Sequence, residues 1–218
     1  MPPSPALLAR GPWGVEEVHA RWREDPFEPP PERTAAADAA IEALRERGSP
    51  SHDGLAARLV GHHVGDDGCL ELDLQPTRWA LRLVEGDASS SLAALCVIRD
   101  ADGRWLAGRR PAPSAPARTR ATARAGGAVD VGESPTETLV RELGEEWSVA
   151  PERLRAEALV RLPHQLVMFV GQAWLPAGAE VRPDHEHDAH AWWPAAVRDW
   201  PAEADEPLRR MATLLDRG

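Results

Sequence analysis

The sequence predicts a mixed α/β fold in which strands and helices alternate along a chain of 218 residues. The apolar run Leu92–Ile98, followed by an Asp/Gly-rich turn and by Trp105–Arg109, is typical of a buried strand that leads into a second strand. The segment Ser134–Trp147 carries helix signals instead, with Ser134 at the N-cap and Pro135 at the first helical position. Interleaved strands and helices indicate an α/β or α+β architecture.

The first 90 residues also contain predicted elements. Residues 1–14 are proline-rich and are expected to lack regular structure, whereas Val15–Trp22 is expected to form a short helix. A longer helix is predicted from an N-cap at Thr34 to about Arg47. Two strand-like runs around a Gly-Asp-Asp-Gly turn then predict a hairpin, and a third run predicts one more strand: Leu55–His63, Cys69–Leu74 and Thr77–Val84.

The part of the chain that follows Trp147 predicts three more strands and a closing amphipathic helix. Residues 111–118, which precede the helix at 134–147, are rich in proline and are expected to form a loop. The predicted strands and the closing helix are Leu159–Leu162, Gln165–Trp174, Ala189–Trp193 and 205–217.

The composition excludes some classes of function. The formal charge is −10, from 35 acidic and 25 basic residues, which argues against a general nucleic-acid binder and is compatible with an acidic metal site. No apolar run approaches the roughly 20 residues of a membrane helix, and no secretion signal is recognised. Cys69 and Cys96 are therefore expected to be reduced thiols in a cytoplasmic protein. All basic residues are Arg, and Lys, Asn and Tyr are absent, which indicates a source genome of high G+C content, expected to be bacterial.

Three carboxylates share one face of the predicted helix at 134–147. Glu142, Glu145 and Glu146 lie at positions i, i+3 and i+4, so they repel one another at neutral pH. A solvated acidic surface explains such a pattern, and so does a site for a hard divalent cation, which prefers oxygen ligands. The preceding Gly126 and Gly127 allow the backbone to approach such a site closely.

The segment from Gly127 to Val149 resembles the Nudix box. It reads Gly127-x5-Glu133-x7-Arg141-Glu142-Leu143-x-Glu145-Glu146-x-Ser148-Val149, and only the last glycine of the signature is replaced, by serine. The resemblance extends over roughly residues 92–200. It implies an α/β/α sandwich around a mixed sheet for residues 91–218. Residues 1–90 are then expected to be an α+β extension packed on this domain.

The resemblance implies a hydrolase that cleaves a nucleoside diphosphate linked to another moiety. In the family pattern Glu142, Glu145 and Glu146, with the carbonyl of Gly127, bind Mg²⁺ or Mn²⁺, and metal-activated water attacks phosphorus. Arg141 and Glu133 correspond to the pair that ties the helix to the preceding loop. The general base is either one of the box glutamates or a residue outside the box, and Glu186 is the candidate outside the box. The candidate catalytic residues are thus Glu142, Glu145, Glu146 and Glu186.

Two alternatives to this hydrolase remain open at this stage. A non-catalytic Nudix module could bind a nucleotide as a sensor or partner platform, and a Nudix-type isomerase is a third interpretation. The intact set of box glutamates favours the enzyme. Ser148 stands where the family has glycine in a left-handed conformation, which costs about 1 kcal/mol unless the helix ends differently before Pro151.

Substrate recognition is less constrained by the sequence. Arg109 and Arg110 are candidates for binding phosphate, although solvated surface arginines explain them equally well. Four tryptophans near the box are candidates for base stacking, with core packing as the simpler explanation: Trp105, Trp174, Trp192 and Trp193.

The extension gives a further indication about the substrate. The segments Asp53–Leu59 and Cys69–Trp79 resemble the extension of the Nudix subgroup that hydrolyses UDP-glucose and UDP-galactose. This resemblance makes a UDP-sugar one candidate beside ADP-ribose, other nucleotide sugars and nucleoside triphosphates. The extension is expected to cover the non-phosphate end of this small-molecule substrate or to form a homodimer interface. In either case Trp79 is expected to be partly buried.

Overall fold

The structure is a computed structural model that describes residues 5–48, 53–84, 89–109, 121–122, 125–162, 164–202, 204 and 206–216. Within these residues the chain forms two sheets and three α-helices. The predicted loop at 111–118 lies outside the described residues. The helices are α1 (Pro31–Glu46), α2 (Pro135–Trp147) and α3 (Glu206–Leu215). The strands are β1 (Ala6–Trp13), β2 (Val18–Trp22), β3 (Leu55–Val64), β4 (Leu70–Arg78), β5 (Leu92–Arg99), β6 (Trp105–Arg109), β7 (Ala121–Thr122), β8 (Ala125–Ala128), β9 (Arg153–Arg161), β10 (Val167–Trp174) and β11 (Ala189–Trp193).

The larger sheet is mixed and has β5 near its centre. Its strand order is β1-β9-β10-β5-β6-β11, with β7 beside β6 and β8 beside β5. The pair β10–β5 is parallel and the other pairs of this sheet are antiparallel. Every residue from Leu92 to Ile98 is at most 6% exposed, because both faces of β5 are covered. This coverage explains why the strand is a continuous apolar run instead of an alternating one.

Helices cover the larger sheet on both sides. Leu139 and Leu143 of α2 belong to one buried cluster, together with alternate residues of β5. Leu208 and Ala212 of α3 belong to a second cluster, which contains the β5 residues that point the other way, such as Val97. The structure therefore confirms the predicted α/β/α sandwich. None of the described helices is long and apolar enough to cross a membrane.

The smaller sheet contains the predicted hairpin, β3–β4, with β2 parallel to β4. Two predictions for the first 22 residues are wrong. Ala6–Trp13 is strand β1, paired with β9, and only Val15–Glu17 is helical, as a 3₁₀ turn before β2. Strand pairing across more than a hundred residues determines these conformations, and such pairing is not visible in the local sequence.

The predicted third strand at Thr77–Val84 is also wrong over most of its length. Strand β4 continues to Arg78, and Trp79–Leu83 is a short 3₁₀ helix. The carboxylate of Asp53 accepts a hydrogen bond from the N–H of Ala80 at 3.0 Å, which stabilises the start of this helix. The stabilising contact comes from a residue far from 79–83 in sequence.

The first 84 residues make backbone and side-chain contacts with the rest of the chain. The N–H of Ala57 donates to the carbonyl of Val129 at 2.7 Å, and that of Leu59 donates to Ser90 at 3.1 Å. The indole of Trp22 donates to the carbonyl of Glu133 at 3.0 Å. Apolar residues of β2, β3 and β4 also belong to the same buried cluster as those of α2.

Helix α2 has defined caps at both ends. The hydroxyl of Ser134 accepts from the N–H of Glu137 at 3.2 Å, and the Glu137 carboxylate accepts from the N–H of Ser134 at 2.7 Å. At the other end Ser148 takes the left-handed conformation with φ of 54°, and its N–H donates to Gly144 at 3.0 Å. Serine thus occupies the position for which glycine is the usual residue.

Candidate active site

Helix α2 directs two glutamates inward and one outward. Glu142 and Glu146 are 9% and 7% exposed, whereas the side chain of Glu145 is 60% exposed. The i, i+4 spacing brings Glu142 and Glu146 to one side of the helix, against β8. The structure therefore brings together two of the three predicted metal ligands and leaves the third at the surface.

The two glycines of β8 make room for these carboxylates. The N–H of Gly126 donates to Oε1 of Glu146 at 2.9 Å. A Cβ atom at Gly127 would overlap the carboxylate of Glu142, and one at Gly126 would overlap the carbonyl oxygen of Ala94. Glycine is required at Gly126, where the backbone of β5 leaves no room for a Cβ, whereas a side chain at Gly127 would force the Glu142 carboxylate to move.

The buried carboxyl groups are hard to ionise. Burial raises the pKa of Glu146 to about 8, and repulsion from Glu142, Glu186 and Asp184 adds to this effect. Burial also raises the pKa of Glu142, although the neighbouring Arg141 opposes the shift. Both carboxyl groups therefore carry their negative charge at a cost that a bound cation would reduce.

Arg141 connects the loop before α2 to the glutamates of the helix. Its Nε donates to Oε1 of Glu133 at 3.0 Å, and its Nη1 donates to Glu142 at 2.8 Å and to Glu145 at 3.0 Å. Its Nη2 donates to the carbonyl of Ala128 at 3.2 Å. Burial opposes ionisation of Glu133, but hydrogen bonds from Arg141 and a neighbouring threonine outweigh it and lower the pKa of Glu133.

The loop that precedes β11 lies against the same helix. The N–H of Asp184 donates to the main-chain carbonyl of Glu146 at 2.9 Å, and the N–H of Glu186 donates to Oδ1 of Asp184 at 2.9 Å. Glu186 is exposed, and its charge is near enough to raise the pKa of Glu146. Sequence analysis did not single out Asp184, although it stands two residues before the candidate Glu186.

The acidic residues are not arranged as a ready-made metal cage. Within the described part of the chain, no group of three His, Cys, Asp or Glu side chains is placed to hold a metal ion. The reason at this site is the outward position of Glu145, which pairs with Arg141. Glu142 and Glu146 nevertheless fit a divalent cation, because their repulsion and burial both diminish when a positive charge is bound.

Of the two candidate phosphate-binding arginines, the structure describes Arg109, which pairs with a carboxylate. Nε of Arg109 donates to Oδ1 of Asp188 at 2.7 Å in an exposed ion pair. Arg110 lies outside the described residues. An arginine that is already bound to a carboxylate offers fewer donors to phosphate, so the structure provides no support for Arg109 in that role.

Three of the four candidate tryptophans are occupied by packing. Trp105 and Trp193 are 0% and 8% exposed, and both pack against Trp200, with ring centroids 5.3 and 5.0 Å apart. The ring of Trp174 is covered by Arg153, at 3.7 Å from its centroid. Trp192 is partly buried and lines a separate groove of about 190 Å³. Of the four candidates, only Trp192 therefore lines an open groove, and that groove is separate from the acidic pair.

A cleft of about 500 Å³ opens beside the acidic pair. Gly126, Gly127 and Glu146 line one part of it, and Trp79 and Arg82 line another. Trp79 is partly buried, as the sequence predicted. The sequence did not identify Arg82 as a site residue, because nothing in its local pattern distinguishes it from the other arginines of the chain.

An α/β/α sandwich with an acidic helix beside a cleft is the arrangement of an enzyme that acts on a small molecule. The sequence model of the NUDIX domain matches residues 90–213, which is more than half of the chain. The chain belongs to the Nudix family, and its enzyme class is that of the Nudix pyrophosphohydrolases. No curated protein matches the chain.

Solved structures show limited similarity. A MutT structure, from work on the proteins of Aliivibrio salmonicida and Vibrio cholerae, is 19% identical with a TM-score of 0.44, and the match covers 57% of this chain and 98% of that one. An Ap4A hydrolase of C. elegans is 22% identical with a TM-score of 0.42, and the match covers 58% of this chain and 99% of that one. A bifunctional NMN adenylyltransferase/ADP ribose pyrophosphatase of Francisella tularensis is 15% identical with a TM-score of 0.41, and the match covers 58% of this chain and 41% of that one. The family assignment rests on the sequence model.

Proposed function

We propose that the protein is a Mg²⁺- or Mn²⁺-dependent hydrolase of a nucleoside diphosphate that is linked to another moiety. The observation that carries this proposal is the convergence of Glu142 and Glu146, which are buried side by side against the glycines of β8 in a Nudix box that keeps all its glutamates. Two carboxyl groups with raised pKa values in one pocket lose their mutual repulsion when a divalent cation binds. This gain supports a cation site.

The residues proposed to hold the ion are those of the box pattern. Glu142 and Glu146 would be the main ligands, together with the carbonyl of Gly127 and with Glu145, whose carboxylate pairs with Arg141 in this structure. A bound divalent ion supplies a water of lowered pKa and neutralises charge on the phosphate oxygens. Oxygen donors of this kind suit Mg²⁺ and Mn²⁺.

The remaining residues orient this ligand set and move the proton. Arg141 holds the Glu142 carboxylate at 2.8 Å and is itself held by Glu133, so it fixes the position of a ligand relative to the loop. Glu186 is exposed on the loop that contacts α2, where it is free of the burial that restrains Glu146. We assign Glu186 as the leading candidate to accept the proton of the attacking water, with the box glutamates as alternatives.

The compartment belongs to the same proposal. Both cysteines are free, with Cys96 buried and Cys69 partly exposed. Free thiols fit a reducing interior. We therefore place the enzyme in the cytoplasm, and the Lys-free composition supports a bacterial source of high G+C content.

A panel of substrates tests the function directly. The full chain is incubated with UDP-glucose, ADP-ribose and nucleoside triphosphates, with Mg²⁺ or with EDTA, and products are separated by ion-exchange chromatography. The expected result is metal-dependent release of a nucleoside monophosphate from at least one compound. Tight binding of a nucleotide without any turnover would contradict the proposal and would indicate a non-catalytic binding module.

A further inference from the structure

The cleft beside the acidic pair has walls from two different parts of the chain. Gly126, Gly127 and Glu146 belong to the Nudix box region, whereas Trp79 and Arg82 lie before the first residue that the NUDIX model matches. The volume of about 500 Å³ is in the range of small-molecule sites. The segment outside the family domain thus shapes the space next to the candidate metal ligands.

The 3₁₀ helix that carries Trp79 and Arg82 is held firmly by its neighbours. The N–H of Trp79 donates to the carbonyl of Gly54 at 2.8 Å, and Asp53 accepts from the N–H of Ala80 at 3.0 Å. Arg78 forms ion pairs with Asp53 and, at 2.6 Å, with Asp38 of α1. Positions that are fixed before a ligand arrives lose little entropy on binding, so this wall is pre-organised.

The side chains of this wall combine a flat aromatic ring with a cation. Trp79 rests on a small apolar cluster formed by α1 and the 3₁₀ helix, and it also lines the cleft. The guanidinium carbon of Arg82 lies 5.4 Å from the centroid of the Trp79 ring. Ala93, Leu95 and Met168 add an apolar contribution to the lining of the same cleft.

The lining of the cleft carries charges of both signs. Glu146 lines it, with the carboxylates of Glu142, Asp184 and Glu186 near enough to raise the pKa of Glu146, and the cationic Arg82 lines it as well. A ligand with an anionic phosphate and an aromatic ring matches this distribution, because the ring covers the indole while the arginine pairs with oxygen. A sugar phosphate without a base would leave the indole uncovered.

We propose that Trp79 and Arg82 form the recognition site for the nucleotide part of the substrate. The nucleobase stacks on the indole of Trp79, and the guanidinium of Arg82 donates to the phosphate of the same nucleotide. This inference rests on the proposed function, since it assigns the nucleotide end of the same substrate. The extension is therefore part of substrate selection, and Trp79 is assigned the stacking role because its ring lines the same cleft as Glu146.

Calorimetric binding of AMP, UMP and ribose 5-phosphate to the full chain with Mg²⁺ tests the proposal without turnover. Trp79→Leu is expected to weaken nucleotide binding by about 10- to 100-fold, as the loss of one stacked base does, and to leave ribose 5-phosphate unaffected. Trp79→Phe keeps an aromatic face and is expected to restore binding to within about three-fold. Arg82→Gln is expected to weaken binding of all three ligands by about ten-fold, because each carries the phosphate.

A matched control separates recognition from general damage. Trp174→Leu removes a tryptophan that also lies beside an arginine, Arg153 at 3.7 Å, but lines no part of this cleft. It is expected to leave all three affinities unchanged. Thermal unfolding of each variant is measured in parallel. If Trp79→Leu does not fold, the affinities of Trp79→Phe and Arg82→Gln are used to test the proposal instead.

The outcomes distinguish this inference from the proposed function. Unchanged nucleotide affinity in folded Trp79→Leu and Arg82→Gln, or no nucleotide binding by the wild type, would overturn the recognition site even if the enzyme hydrolyses a diphosphate. The expected pattern of affinities in a protein that hydrolyses nothing would preserve the recognition site and remove the proposed hydrolysis. If the chain is active, KM should rise in Trp79→Leu while kcat changes less.

Discussion

Arg141 binds Glu133 through two hydrogen bonds, from Nε at 3.0 Å and from Nη2 at 3.3 Å, and so fastens α2 to the loop before it. The same guanidinium holds Glu142 at 2.8 Å. One arginine thus connects the stability of the loop–helix unit to the position of a candidate metal ligand. A change at Arg141 is expected to affect both properties together.

Arg141→Ala is expected to lower both thermal stability and turnover. The substitution leaves Glu133 and Glu142 without their charged hydrogen-bond donor. For partly buried groups this loss lowers the free energy of unfolding by about 1–3 kcal/mol. Differential scanning calorimetry measures the stability, and titration with Mn²⁺ measures the metal affinity. An Arg141→Ala variant that melts normally and binds Mn²⁺ as the wild type does would show that this arginine has no such role.

Gly127→Ala is expected to reduce metal affinity and turnover by at least about ten-fold, because the added Cβ would displace the Glu142 carboxylate. Gly144→Ala is the matched control, since a Cβ there meets no atom within 4 Å. In the interior of α2 that exchange should raise stability by up to about 1 kcal/mol without loss of activity. Equal activity of the two variants would mean that the close approach of Gly127 and Glu142 is unimportant.

The stability of the metal-free protein is expected to depend on pH through Glu146. Its pKa in the folded protein, about 8, exceeds the value of roughly 4.3 for an unfolded chain, so ionisation opposes folding. The contribution of Glu146 to the free energy of unfolding is complete below about pH 4.3 and declines as the pH rises toward 8. Because bound Mg²⁺ offsets the cost of the ionised carboxylate, Mg²⁺ should raise Tm more at pH 8 than at pH 6.

Thermal melts in EDTA and in Mg²⁺ at both pH values measure this effect. The comparison variant is Glu146→Gln, in which residue 146 cannot ionise. In this variant the Mg²⁺-induced shift of Tm should differ little between pH 6 and pH 8. Equal Mg²⁺ shifts at pH 6 and pH 8 in the wild type would argue against competition between protons and metal at the acidic pair.

Removal of the extension is expected to damage the fold. A truncated chain that begins at Ser90 lacks β1, which pairs with β9, and the donors Ala57 and Leu59. It also exposes the apolar cluster that α2 shares with the smaller sheet. We expect aggregation or loss of discrimination between nucleotide substrates, measured by solubility, circular dichroism and KM. A soluble, cooperatively folded product with unchanged preference would make the extension an independent unit.

Much of this architecture is predictable from local signals. The continuous apolar run at Leu92–Ile98 identifies a strand covered on both faces, and the capping residues Ser134 and Pro135 locate the start of α2. The box motif places Glu142 and Glu146 on one helix face, where the structure has them. These features depend on neighbouring residues, which is why the sequence reveals them.

Other features depend on partners far away in the chain. Strand β1 is stabilised by β9, and the 3₁₀ helix at Trp79–Leu83 is stabilised by Asp53, so neither has a local signature. Arg82 reaches the cleft because the extension packs beside the box region, and no sequence motif in this chain predicts that packing.

The central claim is that the box glutamates of α2, Glu142, Glu145 and Glu146, hold the catalytic cation, and turnover of the Glu146→Gln and Glu145→Gln variants tests it. The account predicts that each exchange lowers kcat at saturating Mg²⁺ by at least about 100-fold while the fold stays intact, because charge is removed from the ligand set. Near-normal turnover of folded Glu146→Gln with Mg²⁺ would contradict the account.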